Sequence, residues 1–489
     1  MSGPLIHDPA ERESGDMTTR TLPEHAPPAP VTARRRERGR LGALIRRLWF
    51  PVALVLAVAV AFVVVGPPSS PRAGPGLNAM APAGASPDEP FVAASDATDT
   101  EQEIAKQYET VRQYPDTEDA YVRLGYAYLQ NVREKGDPAD YGRAEAALDE
   151  ALRRDPDNVN ALIGKGSLAA AQHEFQEALE LGERAVATSP RTARAHGVVV
   201  DALTELGRYD EALVSTQTMV DIRPDLASYS RVSYQRELHG QVDGAIVAME
   251  QAYSASVGSG TENREYLRVL MGDLQLMKGD LEAAEQVYRA SLQASPGFVW
   301  ALNGLSGVRV FQGDFDEAVE LQQQAVDAIP LPEFVIALGE IQEAAGRTED
   351  AQRSYELVGA IQQLFEANGV NVDLDLALFQ ANHGNDPAAA VELARRAYQS
   401  EPNIKAADAL GWALYADGQY GEARRYADEA LRLGTPYGSF LYHAGMIAQA
   451  QGDTEAARDF LSRALEQDPY FSPLFAPRAA EALEALGPG

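Results

Sequence analysis

The chain has 489 residues and no cysteine, and 72 acidic side chains outnumber 42 basic ones to give a formal net charge of -30. The missing cysteine excludes disulfides, thiolate catalysis and cysteine-ligated metal centres. The acidic balance argues against nucleic acid as the main partner, because binding phosphates requires clustered lysine and arginine. A solubilising role for a large acidic surface is the simpler alternative to a functional acidic patch.

Residues 1–47 form a basic N-terminal part. They hold nine arginines against six acids, and seven of the arginines lie between Arg34 and Arg47. The segment is rich in proline, glutamate and threonine and lacks a sustained apolar period, which predicts disorder. We therefore expect residues 1–47 to be a disordered basic cytoplasmic tail.

The most apolar stretch follows at once, from Leu48 to Val65, and it has no charged side chain. As a helix it would be about 27 Å long, against a hydrocarbon core of about 30 Å. Trp49 and Phe50 lie at the arginine end, where aromatic rings favour the membrane interface. The sequence predicts one transmembrane helix over residues 48–65.

The arginine cluster indicates the direction of insertion. Arginines beside a membrane helix stay in the cytoplasm, so a single pass through the cytoplasmic membrane would place the C-terminal part outside it. A cleaved signal peptide is a second interpretation, although the small-x-small sites at residues 79–83 lie more than ten residues past the apolar run. A buried soluble helix is a third.

Residues 66–98 are dominated by proline, glycine, alanine and serine. This composition predicts a flexible linker between the membrane and the region that follows. That region, residues 99–475, is different in kind because it repeats itself.

The repeat is defined first by an alanine that returns at nearly constant spacing. It occurs in ten successive units, and in seven of them a glycine precedes it by five positions. Seven of the nine intervals are almost equal, and the other two are longer. The repeating alanines are Ala144, Ala178, Ala212, Ala245, Ala284, Ala318, Ala351, Ala390, Ala423 and Ala457.

Two further positions complete the unit. A second small residue follows the alanine by seven in most units, and a proline follows it by twelve in seven of the ten. The glycine ends one helix and turns the chain, the alanine pair lets two helices approach closely, and the proline stops the second helix. Each unit is thus predicted to be a helical hairpin that must stack on its neighbours to bury its apolar face.

This spacing resembles the tetratricopeptide repeat over roughly residues 101–472. The first helices carry the expected pattern, as YxxLGxxY beginning at Tyr121 and AxxLGxxL beginning at Ala407. The resemblance implies an all-α, right-handed superhelical solenoid of about ten hairpins over residues 99–475, after one N-terminal transmembrane helix.

Departures from the period mark special places. The two longer intervals contain insertions near 257–263 and 364–371, where the usual proline is missing, so the superhelix can bend or break there. Residues 476–489 are predicted to be a C-terminal capping helix and tail over the last hairpin.

Beyond the repeat, the chain resembles a group of bacterial, membrane-anchored tetratricopeptide proteins of unassigned role. The segments that carry this likeness are SYSRVSYQREL, ANHG, DALGWALY and LYHAGMIA. The resemblance supports the fold and implies no biochemical activity.

Catalytic signatures are missing from the sequence. It has no GxxxxGK[ST] phosphate loop, no GxSxG elbow and no HExxH helix. Acidic pairs such as Asp373 and Asp375 are ordinarily solvated groups in a solenoid. We therefore expect a non-enzymatic protein that needs no cofactor.

Histidines offer one alternative. No two of them stand at the spacing of helical metal ligands. His173 and His383 lie at predicted turns and His443 lies in LYHAGMIA, so turn and packing roles are the simplest interpretation. A metal or small-ligand site built from His383, His443 and nearby carboxylates across the superhelix is the other.

In stacked hairpins the first helices line a concave groove that suits an extended or helical peptide. The resemblance implies that positions 2, 5, 9 and 12 of each first helix face it. The basic clamp with which some relatives hold a carboxylate is missing apart from Arg194 and Lys405. The candidate groove residues are Tyr126, Asp201, Tyr234, Asp273, Trp300, Asn303, Phe379, Asp408, Trp412, Tyr415 and Tyr442.

Such an aromatic and acidic groove favours apolar or basic segments through ring burial and charge steering. For any single ring, packing between adjacent units is an equal alternative. The leading hypothesis is a membrane-anchored scaffold or adaptor outside the cytoplasm, which binds an unidentified protein or peptide and no nucleic acid. The alternative is an extracytoplasmic accessory protein for transport or envelope biogenesis that binds a small ligand or metal.

Overall fold

The structure is a computed structural model that describes residues 76–85, 90–95 and 97–487. Those residues form 22 α-helices and one short 3-10 helix, and they contain no strand. The all-α class is therefore confirmed for this part of the chain. None of its helices is long and apolar enough to cross a membrane. The predicted tail at 1–47 and the predicted transmembrane helix at 48–65 lie outside the described residues.

The helices follow one another with short connections. Numbered in chain order, they are α1 Asp99–Gln113, α2 Glu118–Lys135, α3 Ala139–Arg154, α4 Val159–Ala171, α5 Phe175–Thr188, α6 Ala193–Glu205, α7 Tyr209–Ile222, α8 Leu226–Leu238, α9 Val242–Ala255, α10 Thr261–Met277, α11 Leu281–Ala294, α12 Val299–Phe311, α13 Phe315–Ala328, α14 Pro332–Ala344, α15 Thr348–Ala367, α16 Asp373–His383, α17 Pro387–Ser400, α18 Ile404–Ala416, α19 Tyr420–Ala430, α20 Gly438–Ala450, α21 Thr454–Gln467 and α22 Phe475–Ala485.

Ten hairpins account for twenty of these helices. Each even-numbered helix from α2 to α20 packs along its length against the odd-numbered helix that follows it. We call the first helix of a hairpin its A helix and the second its B helix. Helix α1 precedes the first hairpin and α22 follows the tenth, so there is one hairpin for each repeating alanine.

The repeating alanines lie where helices cross. All ten have an exposed fraction of 2% or less. Glycines of the A helices likewise let the two helices of a hairpin approach closely. A Cβ on Gly125 would lie only 2.6 Å from Leu148 Cγ. Because interaxial distances of about 8 Å require small side chains at the crossing, alanine and glycine recur with the period of the hairpin.

A residue with left-handed backbone closes the hairpin turns. Seven turns use a glycine with φ between 69° and 86°. His173 takes this place in the second hairpin, with φ 62°, and its ring stacks on Phe175 with centroids 5.6 Å apart. Such a backbone is easiest for glycine. The structure thus gives His173 the turn role that the sequence suggested.

The two predicted interruptions coincide with local changes in the hairpin stack. Residues 256–260 form a loop between α9 and α10, and α15 runs for 20 residues to Ala367. The first change lies between a B helix and the next A helix, and the second lengthens the B helix α15, so the order of hairpins continues across both.

An N-terminal segment covers the first hairpin. The 3-10 helix Leu77–Met80 packs on it, and Met80 is only 1% exposed. The Met80 carbonyl oxygen accepts a 2.6 Å hydrogen bond from Tyr128 OH. This docked segment differs from the flexible linker predicted for residues 66–98. A few apolar side chains of this segment, among them Leu77, Met80 and Phe91, pack against the core of the first hairpin. The overall composition of residues 66–98 gives no sign of this packing.

Helix α22 covers the other end. Its Phe475 and Ala479 pack in one cluster with Tyr442 and Leu461 of the tenth hairpin. It begins one residue before the predicted cap at 476–489. The apolar faces of both terminal hairpins are therefore shielded from water, as a stacked array requires.

The superhelix is tight enough for its successive turns to touch. Hydrogen bonds join residues 195 to 200 positions apart, just under six repeats. We call this line of contacts, between hairpin turns and later inter-hairpin loops, the seam. Its contacts are Gly136 with Ile329, Gln172 with Asn368 and Asn371, Glu205 with Asn403, Tyr209 with Ile404, Leu238 with Thr435, Glu237 with Tyr437, Gly279 with Pro469, and Phe311 with Tyr470.

Hydrogen bonds and apolar burial both hold the seam. The Ile404 N–H donates to Tyr209 OH at 3.0 Å, and Thr435 Oγ1 donates to the Leu238 carbonyl oxygen at 2.5 Å. Gly207 approaches so closely that a Cβ there would overlap the main-chain oxygen of Pro402. The buried apolar side chains that meet across the seam include Tyr209, Leu238, Ile404 and Phe440.

Two glycines of α12 provide a matched test of the close packing. A Cβ on Gly304 would overlap the ring of Tyr288, whereas nothing lies within 4 Å of a Cβ on Gly307. We expect Gly304→Ala to lower the free energy of unfolding by about 1–3 kcal/mol through overpacking. Gly307→Ala should raise it by up to about 1 kcal/mol through helix propensity.

Denaturant unfolding of the two variants beside the unchanged chain measures both effects. Opposite signs are expected. A loss of stability in both variants, or in neither, would contradict the tight contact between Tyr288 and α12.

Candidate functional site

The A helices of the two superhelical turns face one interior. Lys405 of α18 shows this, because its Nζ lies 3.8 Å from Glu205 Oε1 of α6 and 5.3 Å from the ring centre of Tyr234 on α8. We call the surface that the A helices present to this interior the inner face. It is the place where the predicted groove residues have to be sought.

The eleven predicted groove residues divide into two sets. Those at least partly exposed are Tyr126, Asp201, Tyr234, Asp273, Trp300, Asn303 and Tyr415. Those that are buried are Phe379, Asp408, Trp412 and Tyr442, with exposed fractions of 3% to 9%. Accessible candidates thus lie mainly in the first six hairpins, and buried ones lie in the last three.

The buried set belongs to packed aromatic clusters. Trp412 stacks between Tyr415 and His443, with ring centroids 4.7 Å and 4.1 Å apart. Its Nε1 donates to Asn382 Oδ1 at 2.7 Å, and Tyr442 contacts Phe475 of the cap. The structure therefore assigns these side chains to the core of the last hairpins, where the cap and the neighbouring helices fill the space that the sequence suggested was a groove.

Phe379 is buried for a related reason. Its ring contacts Tyr355 and His383 with centroids 5.8 Å and 5.5 Å away. These three rings fill the junction between the seventh and eighth hairpins. Phe379 consequently packs between adjacent units, as was the alternative for any single ring.

The two histidines of the alternative metal site each face one carboxylate. His443 Nδ1 lies 2.9 Å from Asp408 Oδ2, and His383 Nε2 lies 3.2 Å from Glu340 Oε1. Between residues 76 and 487, as far as the structure describes them, no three histidines or acids are grouped to hold a metal ion. The geometry gives both imidazoles a packing role with one charged partner.

An accessible aromatic pair lies on the inner face of the fifth and sixth hairpins. Tyr266 is 38% exposed and meets Trp300 edge-on, with ring centroids 5.7 Å apart; Trp300 in turn contacts Phe334. Burial, and then the negative charges of Asp273 and Glu333, raise the pKa of the Tyr266 hydroxyl. We call Tyr266, Asp273, Trp300 and Glu333 the inner patch.

Tyr266 and Glu333 are absent from the predicted groove, although the sequence contains a signal for them. Tyr266, Trp300 and Glu333 follow one another at the ordinary interval of the repeat, so they occupy the same position in three successive hairpins. Extending the register of Trp300 by one repeat in each direction would have found both. The insertion near 257–263, just before Tyr266, obscured this register.

The inner carboxylates lack positive neighbours. Within the described residues neither Asp273 nor Glu333 forms an ion pair, and Asp273 accepts a 2.6 Å hydrogen bond from Tyr288 OH. Desolvation, with a smaller contribution from nearby acids, raises the pKa of Asp273 to about 6 and that of Glu333 to about 7. Both side chains still contact solvent. Their desolvation therefore comes from the protein that encloses the interior.

Three cations on the inner face are engaged, whereas Arg133, which hydrogen-bonds to Gln130, lies near enough to Tyr266 to oppose the rise in its pKa. The pairs are Lys405 with Glu205, Arg231 with Asp201, and Arg194 with the ring of Tyr126. Such engaged cations leave little positive charge for a carboxylate or phosphate ligand. The unpaired acids of the inner patch instead make this part of the interior complementary to cationic groups.

Glu401 is a buried acid beside the seam. It is 3% exposed, and its nearest hydrogen-bond donor is Asn403 Nδ2 at 3.4 Å. Burial, together with the negative charges of Glu205 and Asp375, raises the pKa of Glu401 to about 8. The closed seam thus holds a carboxyl group that keeps its proton near neutral pH.

Comparisons with known proteins agree with the geometry. A family model described as tetratricopeptide repeat matches residues 132–191 and 409–470. Cellulose synthase 1 operon protein C of Komagataeibacter xylinus is 25% identical over 245 residues, which are 48% of this chain and 16% of that protein. Cellulose synthase operon protein C of Xanthomonas axonopodis pv. citri (strain 306) is 27% identical over 320 residues, 65% of this chain and 17% of that protein.

The chain spans less than a fifth of the length of these two curated relatives. Among solved structures, a thermophilic tetratricopeptide repeat protein of Thermus thermophilus is similar, with 20% sequence identity and a TM-score of 0.34. That match covers 43% of this chain and 100% of the other.

Stacked two-helix hairpins with small residues at their crossings define a helical-repeat solenoid. The two matched segments lie near the two ends of this solenoid, in α2 to α5 and in α18 to α21. The chain contains tetratricopeptide repeats in these two segments.

Glu401 provides a pH dependence with a defined sign. Its pKa rises from an ordinary 4.5 to about 8 on folding, so the folded chain holds the proton more tightly. The stability this provides is complete below the unfolded pKa and is lost as pH rises toward 8. We expect Glu401→Gln, which stays neutral, to change the free energy of unfolding little at pH 5 and to raise it by roughly 1–3 kcal/mol at pH 8.

Denaturant unfolding at the two pH values measures this difference. Glu320→Gln, on the exposed surface of α13, is the matched control and should change neither value. A Glu401→Gln variant with the same pH dependence as the unchanged chain would contradict a buried, protonated Glu401.

Proposed function

We propose that this chain is a non-enzymatic adaptor whose inner face binds a basic, extended segment of a partner protein. Solenoids of this kind present the A helices as a continuous binding surface. The observation that carries the proposal is the inner patch, where Tyr266 and Trp300 lie beside two carboxylates without counter-cations. Lysine and arginine side chains bind such surfaces through cation–π contacts and charge-assisted hydrogen bonds.

The histidine–carboxylate pairs support a binding role over a catalytic one. His443 and Asp408 form the arrangement nearest to a catalytic dyad, but the histidine is only 5% exposed. Trp412 and Tyr442 lie against its ring. A substrate would have to displace packed aromatic side chains to reach the imidazole.

We also propose that the adaptor is tethered to the cytoplasmic membrane by residues 48–65 and that its solenoid lies outside the cytoplasm. The apolar run and the arginines before it support this arrangement. Because Leu77–Met80 docks on the first hairpin, residues 66–76 would be the tether, with a reach of at most about 40 Å. The names of the two relatives, taken from cellulose synthase operons, are compatible with a role at the cell envelope.

Two matched pairs of substitutions test the inner patch. Tyr266 and Tyr420 are both 38% exposed, but Tyr420 lies at the turn of the ninth hairpin. We expect Tyr266→Ala to weaken binding of a basic peptide about 3- to 10-fold through loss of a cation–π contact worth about 1 kcal/mol. Tyr420→Ala should leave binding unchanged. Glu333→Gln should weaken binding similarly, and Glu320→Gln on α13 should not.

Fluorescence anisotropy with a synthetic peptide of alternating arginine and leucine measures these affinities, and a glutamate–leucine peptide is the charge control. Binding of both peptides with equal affinity would refute electrostatic recognition. Equal loss in Tyr266→Ala and Tyr420→Ala would place the site elsewhere.

The tether has a separate test. A reporter enzyme that works only outside the cytoplasm, fused after Gly489, should be active in intact bacteria. Replacing the arginines between Arg34 and Arg47 by glutamine should reduce that activity, because they set the direction of insertion. A reporter that works only in the cytoplasm is the control, and its activity in the same fusion would reverse the proposed topology.

A further inference from the structure

The seam closes the side of the superhelix. The turns of the first five hairpins, and the end of the A helix in the sixth, each contact a loop or chain segment one superhelical turn later. An open tetratricopeptide groove would leave these two edges apart. Here the edges meet along the seam, so the inner face borders an interior that is closed at the side.

Main-chain hydrogen bonds and buried apolar side chains stabilise the seam against opening. Main-chain atoms take part: the Asn371 N–H donates to the Gln172 carbonyl oxygen at 3.0 Å, and Asn403 Nδ2 donates to the Glu205 carbonyl oxygen at 3.0 Å. Ile404, which is fully buried, lies in the apolar cluster that spans the seam. Separating the edges would expose this cluster and break the hydrogen bonds together.

Solvent nevertheless reaches the inner patch. Tyr266, Asp273 and Glu333 all remain exposed to water although protein encloses them. At the C-terminal end α22 packs against the A helices of the last hairpins, and its Arg478 donates to Glu343 of α14. With the side closed by the seam, the N-terminal end of the superhelix is the remaining route to these side chains. A ligand that follows the same route has to move along the superhelix axis.

We propose that the inner face admits a partner segment only by a free chain end that enters along the axis, and that it excludes the same segment when both its ends belong to folded domains. This inference rests on the proposed function, because it concerns the same basic segment and the same inner patch. The proposed function requires that the segment is basic, and this inference adds that the segment must also have a free end. The partner is a protein with a basic, unstructured N- or C-terminal tail.

A locked seam provides the first arm of the test. The chain has no cysteine, so Gln172→Cys with Asn371→Cys introduces one possible disulfide. A main-chain hydrogen bond of 3.0 Å joins the two positions, which keeps their Cα atoms within about 7 Å, the upper limit for a disulfide. The full-length variant is compared in its oxidised and reduced forms, so each sample is its own folding control.

Two probes provide the second arm. The alternating arginine–leucine peptide is fused to a small folded protein at one end, or is placed between two copies of that protein. Both probes have the same binding chemistry and differ in the presence of a free end. Anisotropy titrations with the full chain measure the affinity of each probe for the locked and the reduced variant.

The expected result has two parts. The probe with a free end binds the locked and reduced forms with affinities that agree within about twofold, and the doubly flanked probe binds at least tenfold more weakly to both. Equal binding of the two probes would overturn axial entry while leaving the proposed function intact. Loss of binding on oxidation would also overturn it, because entry would then require the seam to open. Failure of the free-ended probe to bind the unchanged chain would refute the proposed function itself.

Discussion

A hairpin of two short helices cannot bury its own apolar surface, and the rest of this structure depends on that constraint. Each hairpin here has small residues on both sides of its crossing, with repeating alanines such as Ala212 fully buried against neighbours. Such a unit is stable only between two others. The chain meets the requirement with ten units, and it shields the two unpaired ends with α1 and Leu77–Met80 on one side and with α22 on the other.

Tight winding also brings the edges of the superhelix together, so these edges must bury their apolar surface and pair their polar groups as the hairpins do. Once the turns approach each other, the hairpin turns of one and the loops of the next lose water and need partners. Tyr209 and Thr435 satisfy main-chain groups across the seam, and Ile404 and Phe440 bury apolar surface there. The glycine at position 207 suits this seam as well as its turn, since its missing Cβ makes room for Pro402.

The sequence predicts what depends on the period of the hairpin and misses what depends on longer distances. Hairpins, turns and the buried alanines follow from local spacing, and the position of Trp300 on the inner face follows from it too. The seam joins residues 195 to 200 positions apart through hydrogen bonds that leave no periodic trace. The burial of Trp412 and Tyr442 likewise depends on how α22 crosses the last hairpin. The packing of Met80 against the first hairpin could not be predicted either, because the composition of its segment is that of a flexible linker.

Closing the superhelix around acids has an electrostatic cost that the seam must offset. Asp273, Glu333 and Glu401 all hold their protons more tightly than free carboxyls, which means that their ionised forms are disfavoured inside. A cationic segment bound at the inner patch would offset part of the desolvation of Asp273 and Glu333 and would stabilise the closed state. By linkage, the closed state must then favour the cationic segment by the same free energy. Because the seam is already closed in the free chain, this coupling would add to stability and change the affinity little, and lower pH would substitute in part for the ligand by protonating the same acids.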